Sequence, residues 1–280
     1  LERVLSPEEL HPLDSEAADR VRERLLAEIR ALGLTPEVHE HFACLPHPET
    51  PAALCGRVRN VVFSVGPESG PAILAATHYD SVPAGPGASD AGIGIASWLE
   101  IARLLSHQEL RRRVILLISD GEEPALLGAH AFAQHDPLMH DVQALVNLEA
   151  RGSSGPATFF ETARPNADSV RAYAAGASRP MTNSMMAAVY ELLPNSTDVT
   201  ALRRDGLDIV NIAISDSWPN YHTPQDNLAN LNRASLQHMG DSALGTVRAF
   251  ATPVDSGSAD SLVFTDILGR VLVSMPAWLG

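Results

Sequence analysis

The chain has 280 residues, 45% of them apolar, with 34 acidic and 20 basic side chains and a formal charge of -14. That length and composition suit one large domain with a sizeable core. The acidic excess argues against nucleic acid and anionic membrane surfaces as partners, since phosphates would be repelled, whereas an acidic protein can hold cations.

In chain order, apolar positions at Ala17, Val21, Leu25, Ile29 and Leu32 are spaced by threes and fours behind Asp14 and Ser15, which predicts a capped amphipathic helix over Glu16 to Leu32. Cys44 and Cys55 are too few for a disulfide framework and lack zinc-ribbon spacing, so a pair and two free thiols are both open. Short apolar runs at Val61 to Val65, Ile73 to Ala76, Val114 to Ile118, Ala144 to Leu148 and Ile209 to Ile214 predict strands buried on both faces. Helical stretches at Gly92 to Ser106, Ala125 to His135, Ala167 to Ala177 and Ala234 to Ala251 fall between and after them. The alternation predicts an α/β fold, three-layer α/β/α, with a mixed, mainly parallel central sheet. Pro83 to Gly87 reads as a loop just past a strand end, where open α/β sheets place their sites. The stretch from Leu262 to Leu279 has charges only at Asp266 and Arg270 and is expected to dock or to approach a membrane anchor. The chain begins at Leu1 rather than Met and reads as a fragment or processed form; it shows no signal peptide and no apolar run of spanning length. A single domain over 1–280, with 262–280 as its apolar tail, is the expected organisation.

The predicted strand ends carry the chemistry. Ile73 to Ala76 runs into Thr77-His78-Tyr79-Asp80, and Val114 to Ile118 into Ser119-Asp120-Gly121-Glu122-Glu123. Ala144 to Leu148 ends in Glu149, and Ile209 to Ile214 is followed by Tyr221-His222, while Asp90 sits where the Pro/Gly loop turns into a helix. Two histidines with three carboxylates, His78, Asp90, Glu123, Glu149 and His222, can serve two zinc ions if one carboxylate bridges them. Gathering Asp90, Glu122, Glu123 and Glu149 on one rim would cost several kcal/mol of repulsion even at an effective dielectric of about 20. Two divalent cations cancel that charge. Of the adjacent glutamates, one can bind metal while the other, Glu122, moves protons between water and a leaving amine. Asp80 has the spacing to accept the second ring N–H of His78 and fix its tautomer.

His-x-Asp, Asp-Ala-Gly, Gly-Glu-Glu, Asn-Leu-Glu and Tyr-His-Thr, in this order from about Arg59 to Asn227, resemble the M28 family of zinc peptidases. The resemblance implies a zinc exopeptidase-like fold and a two-zinc aminopeptidase hydrolysing peptides. It assigns His78 and Glu149 to one zinc, Glu123 and His222 to the other, Asp90 as the bridge, Glu122 as the base, Asp80 as support for His78 and Tyr221 as an oxyanion donor. Pro86-Gly-Ala-Ser-Asp90 and Tyr221-His-Thr-Pro-Gln-Asp226 look most like the membrane-anchored, endoplasmic reticulum metallopeptidase-like branch, which implies an extracytoplasmic location. Two positions depart from the family pattern. Ala91 follows the bridging aspartate where Asp or Asn is usual, and Glu149 is one methylene longer than the usual Asp.

His78-Tyr-Asp-Ser-Val-Pro83 also fits the M20 carboxypeptidases, but the stretch from Glu149 to His222 is too short for the lid domain of roughly a hundred residues which that family inserts. His39-Glu40-His41 lacks H-E-x-x-H spacing, and Gly152-Ser-Ser-Gly155 is no nucleophile elbow. Asn195-Ser196-Thr197 is a glycosylation sequon, expected to go unused. A one-zinc glutaminyl cyclase and a binding ectodomain with a decayed site are the rival readings. Thr182 to Asp205, with Met185, Met186, Tyr190 and Leu193, is expected to line the substrate pocket.

Overall fold

The computed structural model describes residues 1–46, 52–252 and 260–279. The strands are β1 (Glu37–Pro46), β2 (Ala53–Val65), β3 (Ala72–His78), β4 (Arg113–Ser119), β5 (Val142–Ala150), β6 (Thr158–Thr162), β7 (Asp208–Ile214), β8 (Leu262–Ile267) and β9 (Val271–Pro276). The helices are α1 (Glu2–Leu5), α2 (Glu16–Ala31), α3 (Gly92–Leu105), α4 (Glu122–Ala125), α5 (Leu127–His135), α6 (Ala167–Gly176), α7 (Ser184–Tyr190), α8 (Asp198–Leu202) and α9 (Arg233–Ala251). Seven strands form one sheet in the order β1-β2-β4-β3-β5-β7-β6. The four central strands run parallel, while β1, β2 and β6 pair antiparallel at the edges.

The strands are apolar throughout because both faces are covered. On β3, Ile73 and Ala75 face the core that holds Val21 and Leu25 of α2, Trp98 of α3, Tyr173 of α6 and Val247 of α9. Leu74 and Ala76, one residue out of phase, face Phe132 of α5 and Val199 and Leu202 of α8. Each buried Leu or Ile of this kind is worth about 1.5–3 kcal/mol, so the centre of the sheet is firmly anchored from both faces. Four of the five predicted strands and all five predicted helices occur within a few residues of their expected bounds, and the fifth strand, β2, ends as expected at Val65.

The edges differ from expectation. β2 begins at Ala53 rather than near Val61, and β1 was not predicted, because its exposed positions alternate with half-buried ones and give no continuous apolar run. The pairing of β1 with β2 sets Cys44 opposite Cys55, and the two form a disulfide with Cα atoms 4.1 Å apart. The apolar tail is a hairpin. β8 and β9 pair antiparallel, with Leu262 and Phe264 buried and Val263, Ile267, Val271, Val273 and Met275 exposed. No helix among the described residues is long and apolar enough to cross a membrane.

Candidate metal centre

The parallel strands β3 and β5 end side by side, and their last residues open one site. His78 closes β3 with its ring wholly buried, and Glu149 stands near the end of β5. Asp90 comes in from the loop before α3. Its Oδ1 lies 3.3 Å from His78 Nε2, and Glu149 Oε2 lies 3.6 Å from the same nitrogen. On the other side His222 Nε2 is 3.1 Å from Asp90 Oδ2 and 3.0 Å from Glu123 Oε2. Two donor groups result, His78 with Asp90 and Glu149, and Asp90 with Glu123 and His222, each with its ligand atoms within 4.8 Å of one another. Asp90 belongs to both, offering one carboxylate oxygen to each side. The five residues expected to ligate metal are therefore brought together.

Local backbone devices hold this arrangement. Gly121 adopts a left-handed conformation (φ 69°) and turns the chain out of β4 into α4, so that Glu122 and Glu123 point into the site. The carboxylate of Asp80 accepts the N–H groups of Glu122 (3.0 Å) and Glu123 (3.2 Å), clamping that turn to the end of β3. His78 Nδ1 is 3.0 Å from the Asp80 carbonyl oxygen and 3.5 Å from its Oδ1, so the backbone of Asp80 is the nearer acceptor for the ring. Ala91 brings no polar group after Asp90. The Asp90 backbone is instead held by Asp226, whose carboxylate accepts the N–H of Ser89 (2.7 Å) and of Asp90 (3.1 Å).

Charge and burial compete throughout the site. Burial pushes Glu122 well above the ordinary carboxylate range, with Glu149, Asp198 and Asp90 reinforcing the rise and His78 opposing it. Burial also lifts Glu123 to about 7. For His222 burial alone would lower the pKa, but its hydrogen bonds to the carboxylates of Asp90 and Glu123 outweigh it and bring it up to about 9. His78 is raised well above its usual value in the same way, against burial, by Asp80, Asp90 and Glu149. Asp90 is lowered, since its bonds to His222 and His78 overcome the opposing effect of burial. The upward shifts of Glu122 and Glu123 beside raised histidines show how closely like charges are gathered here, a crowding that a bound cation would relieve. The residue types, imidazole and carboxylate, suit zinc.

Tyr221 stacks on His222 with ring centroids 3.7 Å apart, and burial raises its hydroxyl pKa, keeping it protonated. The site opens into a cavity of about 490 Å³ lined by Phe160, Met186, Tyr190, Pro194 and Asn195 among others. Of the segment expected to line it, Met186, Tyr190 and residues 194–197 do so, whereas Met185 is exposed at the surface.

The structure adds residues that the motifs did not single out. Asp198, fully buried at the start of α8, accepts a short hydrogen bond from Ser119 Oγ, and burial lifts its pKa to about 7. Asp226 stands four residues past His222 within a segment already read as a motif, so its place there was the available signal. Asp198 and Arg151, which also lines the cavity, have no such local signature.

A mostly parallel sheet with helices on both faces, and a histidine-carboxylate centre at its strand ends, defines the zinc exopeptidase class of fold. The chain belongs to peptidase family M28, which it matches over residues 60–247. Endoplasmic reticulum metallopeptidase 1 of Rattus norvegicus is 31% identical over 235 residues, covering 80% of this chain and 26% of the rat protein. A vacuolar membrane protease of Candida albicans is 33% identical over 201 residues, covering 71% of this chain and 23% of the fungal one. The chain thus spans about a quarter of the length of these curated relatives, and they agree with the branch read from Pro86 to Asp90 and Tyr221 to Asp226. Among solved structures, a zinc aminopeptidase from Bacillus subtilis has a TM-score of 0.71 at 15% identity, covering 96% of each chain. A glutaminyl cyclase from Porphyromonas gingivalis has a TM-score of 0.65 at 19% identity, covering 88% of this chain and 94% of that one. At such identities these two likenesses concern the fold.

Proposed function

We propose that the protein is a zinc-dependent peptidase that hydrolyses the peptide bond next to a free N-terminus, with two zinc ions held by His78, Asp90 and Glu149 and by Asp90, Glu123 and His222. The observation that carries this reading is Asp90, shared by two complete donor groups. Zinc held by these residues would supply Lewis acidity and would lower the pKa of a water bound beside it. Glu122, which lines the cavity beside both donor groups, is placed to take a proton from the attacking water and return it to the departing amine. The Tyr221 hydroxyl donates to the oxyanion that develops on the substrate carbonyl. Asp80 keeps Glu122 and Glu123 in register through their backbone N–H groups, and Asp226 does the same for Asp90.

The Cys44–Cys55 disulfide favours an oxidising, extracytoplasmic setting. The relatives' names, which place them in the endoplasmic reticulum or a vacuolar membrane, support membrane association of the whole protein. Glutaminyl cyclisation is the second reading, favoured by the fold likeness to cyclases and opposed by the presence of both donor groups.

Metal analysis combined with a panel of aminoacyl amides tests the proposal. Two zinc ions per chain are expected, with hydrolysis abolished by a chelator, restored by zinc and absent on N-acetylated substrates. Cleavage by the fully metal-stripped protein would overturn the mechanism. One zinc per chain with cyclisation of N-terminal Gln would transfer the assignment to the second reading.

A further inference from the structure

Among the described residues, one arginine, the exposed Arg151, lines this acidic cavity. Arg151 directly follows β5, two positions past Glu149, and its N–H donates to the Ile214 carbonyl at 2.8 Å. The pairing of Ala150 with Ile214 therefore sets Arg151 beside Ser215, and both residues line the cavity. The Arg151 guanidinium carbon lies 5.8 Å from the centroid of the Tyr221 ring. That ring contact is the one interaction its side chain makes among the described residues. Four carboxylates, Asp90, Glu122, Glu123 and Glu149, line the same cavity, yet none of them takes Arg151 as an ion-pair partner. The two histidines and Asp90 occupy one another instead.

An arginine that lines a substrate cavity, with its guanidinium near an aromatic ring and no carboxylate partner among the described residues, is equipped to accept a carboxylate from outside. Its planar fork matches carboxylate geometry in two parallel hydrogen bonds. The wider charge of the molecule makes the placement more telling. At -14 overall, the protein repels anionic ligands at a distance, so an anionic group on a substrate needs a local cation to be accepted at all.

Resting on the peptidase reading above, we propose that Arg151 receives a carboxylate of the peptide substrate and so selects for substrates that carry one within reach of the scissile bond. The free C-terminus of a dipeptide and an acidic side chain share that chemistry. Ser215, at the paired strand end, lines the same cavity. Arg151 would then determine specificity by binding, leaving bond cleavage to the centre beneath it.

The test compares kcat/KM of the zinc-loaded protein on Leu-Gly, Leu-Gly-amide and Leu-Glu-amide, for the native chain and for Arg151→Gln and Arg151→Lys. The native chain is expected to favour a carboxylate-bearing substrate over Leu-Gly-amide by at least about tenfold, the scale of a bidentate charged hydrogen bond. Preference for Leu-Gly identifies the C-terminal carboxylate as the recognised group, and preference for Leu-Glu-amide identifies an acidic side chain. Arg151→Gln should bring the ratio close to one, and Arg151→Lys should keep part of it. Because Arg151 touches Tyr221, the ratio between substrates is the readout rather than either rate alone, and zinc content confirms that each variant keeps its centre. Equal losses on charged and neutral substrates in Arg151→Gln, or no preference in the native chain, would overturn the assignment while leaving the peptidase reading intact. No hydrolysis of any of the three by the zinc-loaded native chain would instead overturn the peptidase reading and take this inference with it.

Discussion

Glu122 and Glu123 are neighbours in sequence and differ in what surrounds them. Glu123 is 3.0 Å from His222, whereas Glu122 makes no such ion pair among the described residues, and burial, reinforced by Glu149, Asp198 and Asp90, holds its pKa up. Glu122→Gln should therefore cut kcat by at least about a hundredfold, the lower range for losing a general base, while zinc content stays unchanged; undiminished turnover would remove Glu122 from the mechanism. Asp226 acts one step back from the donors. Asp226→Asn turns one acceptor of the Ser89 and Asp90 N–H groups into a donor, and zinc affinity should fall about 10- to 100-fold, which a competitive chelator titration reads. An unchanged zinc affinity would mean that the Asp90 loop holds itself. Residue types and order made His78, Asp90, Glu122, Glu123, Glu149 and His222 legible as candidates. The grip of Asp226 and the placement of Arg151 were not, because each depends on a neighbour far along the chain.

At the scale of elements, the site depends on where two loops meet. The Pro83 to Gly87 loop lies against the segment carrying His222 so closely that a Cβ on Gly85 would sit 2.5 Å from the Thr223 carbonyl oxygen. Gly85→Ala should force the two loops apart, costing about 1–3 kcal/mol as an overpacking change and loosening zinc at His222, measurable by denaturant unfolding and metal retention. Gly240 is the contrasting position. It lies inside α9, where a Cβ meets only Ser97 Oγ at 3.9 Å. Gly240→Ala should raise stability by roughly 0.5–1 kcal/mol through helix propensity alone. If both variants unfold alike, loop contact is not what positions His222. The central strands were readable as apolar runs because both their faces are buried. β1 and β6 were missed because an edge strand is short or half exposed, and its pairing partner decides it.

For the whole molecule, the metal-free state should have an inverted pH response. His222, raised to about 9 from an ordinary 6.5, contributes stability below pH 6.5 that is lost as pH rises through 9. Glu123, raised to about 7, is penalised when it ionises, so stability again falls as pH rises from about 4.5 through 7. The metal-free chain should therefore show a falling Tm between about pH 5 and 9. Zinc, which requires these groups deprotonated, should reverse the trend by stabilising most at the alkaline end. A metal-free Tm that rises with pH across that window would contradict the charge balance of the site.

What the sequence determined by itself was local: which runs are apolar enough to be buried strands, which are amphipathic enough to be helices, and which polar residues stand where those strands stop. Burial periodicity and turn chemistry act over a few residues, so they can be read along the chain. Which strands become neighbours was decided only by tertiary packing. β3 had to lie between β4 and β5, with β7 beyond β5, before residues from 78 to 222 could meet at Asp90. The disulfide partner, the Asp226 clamp and the placement of Arg151 beside Tyr221 arise from the same long-range pairing. No local physical interaction specifies any of them.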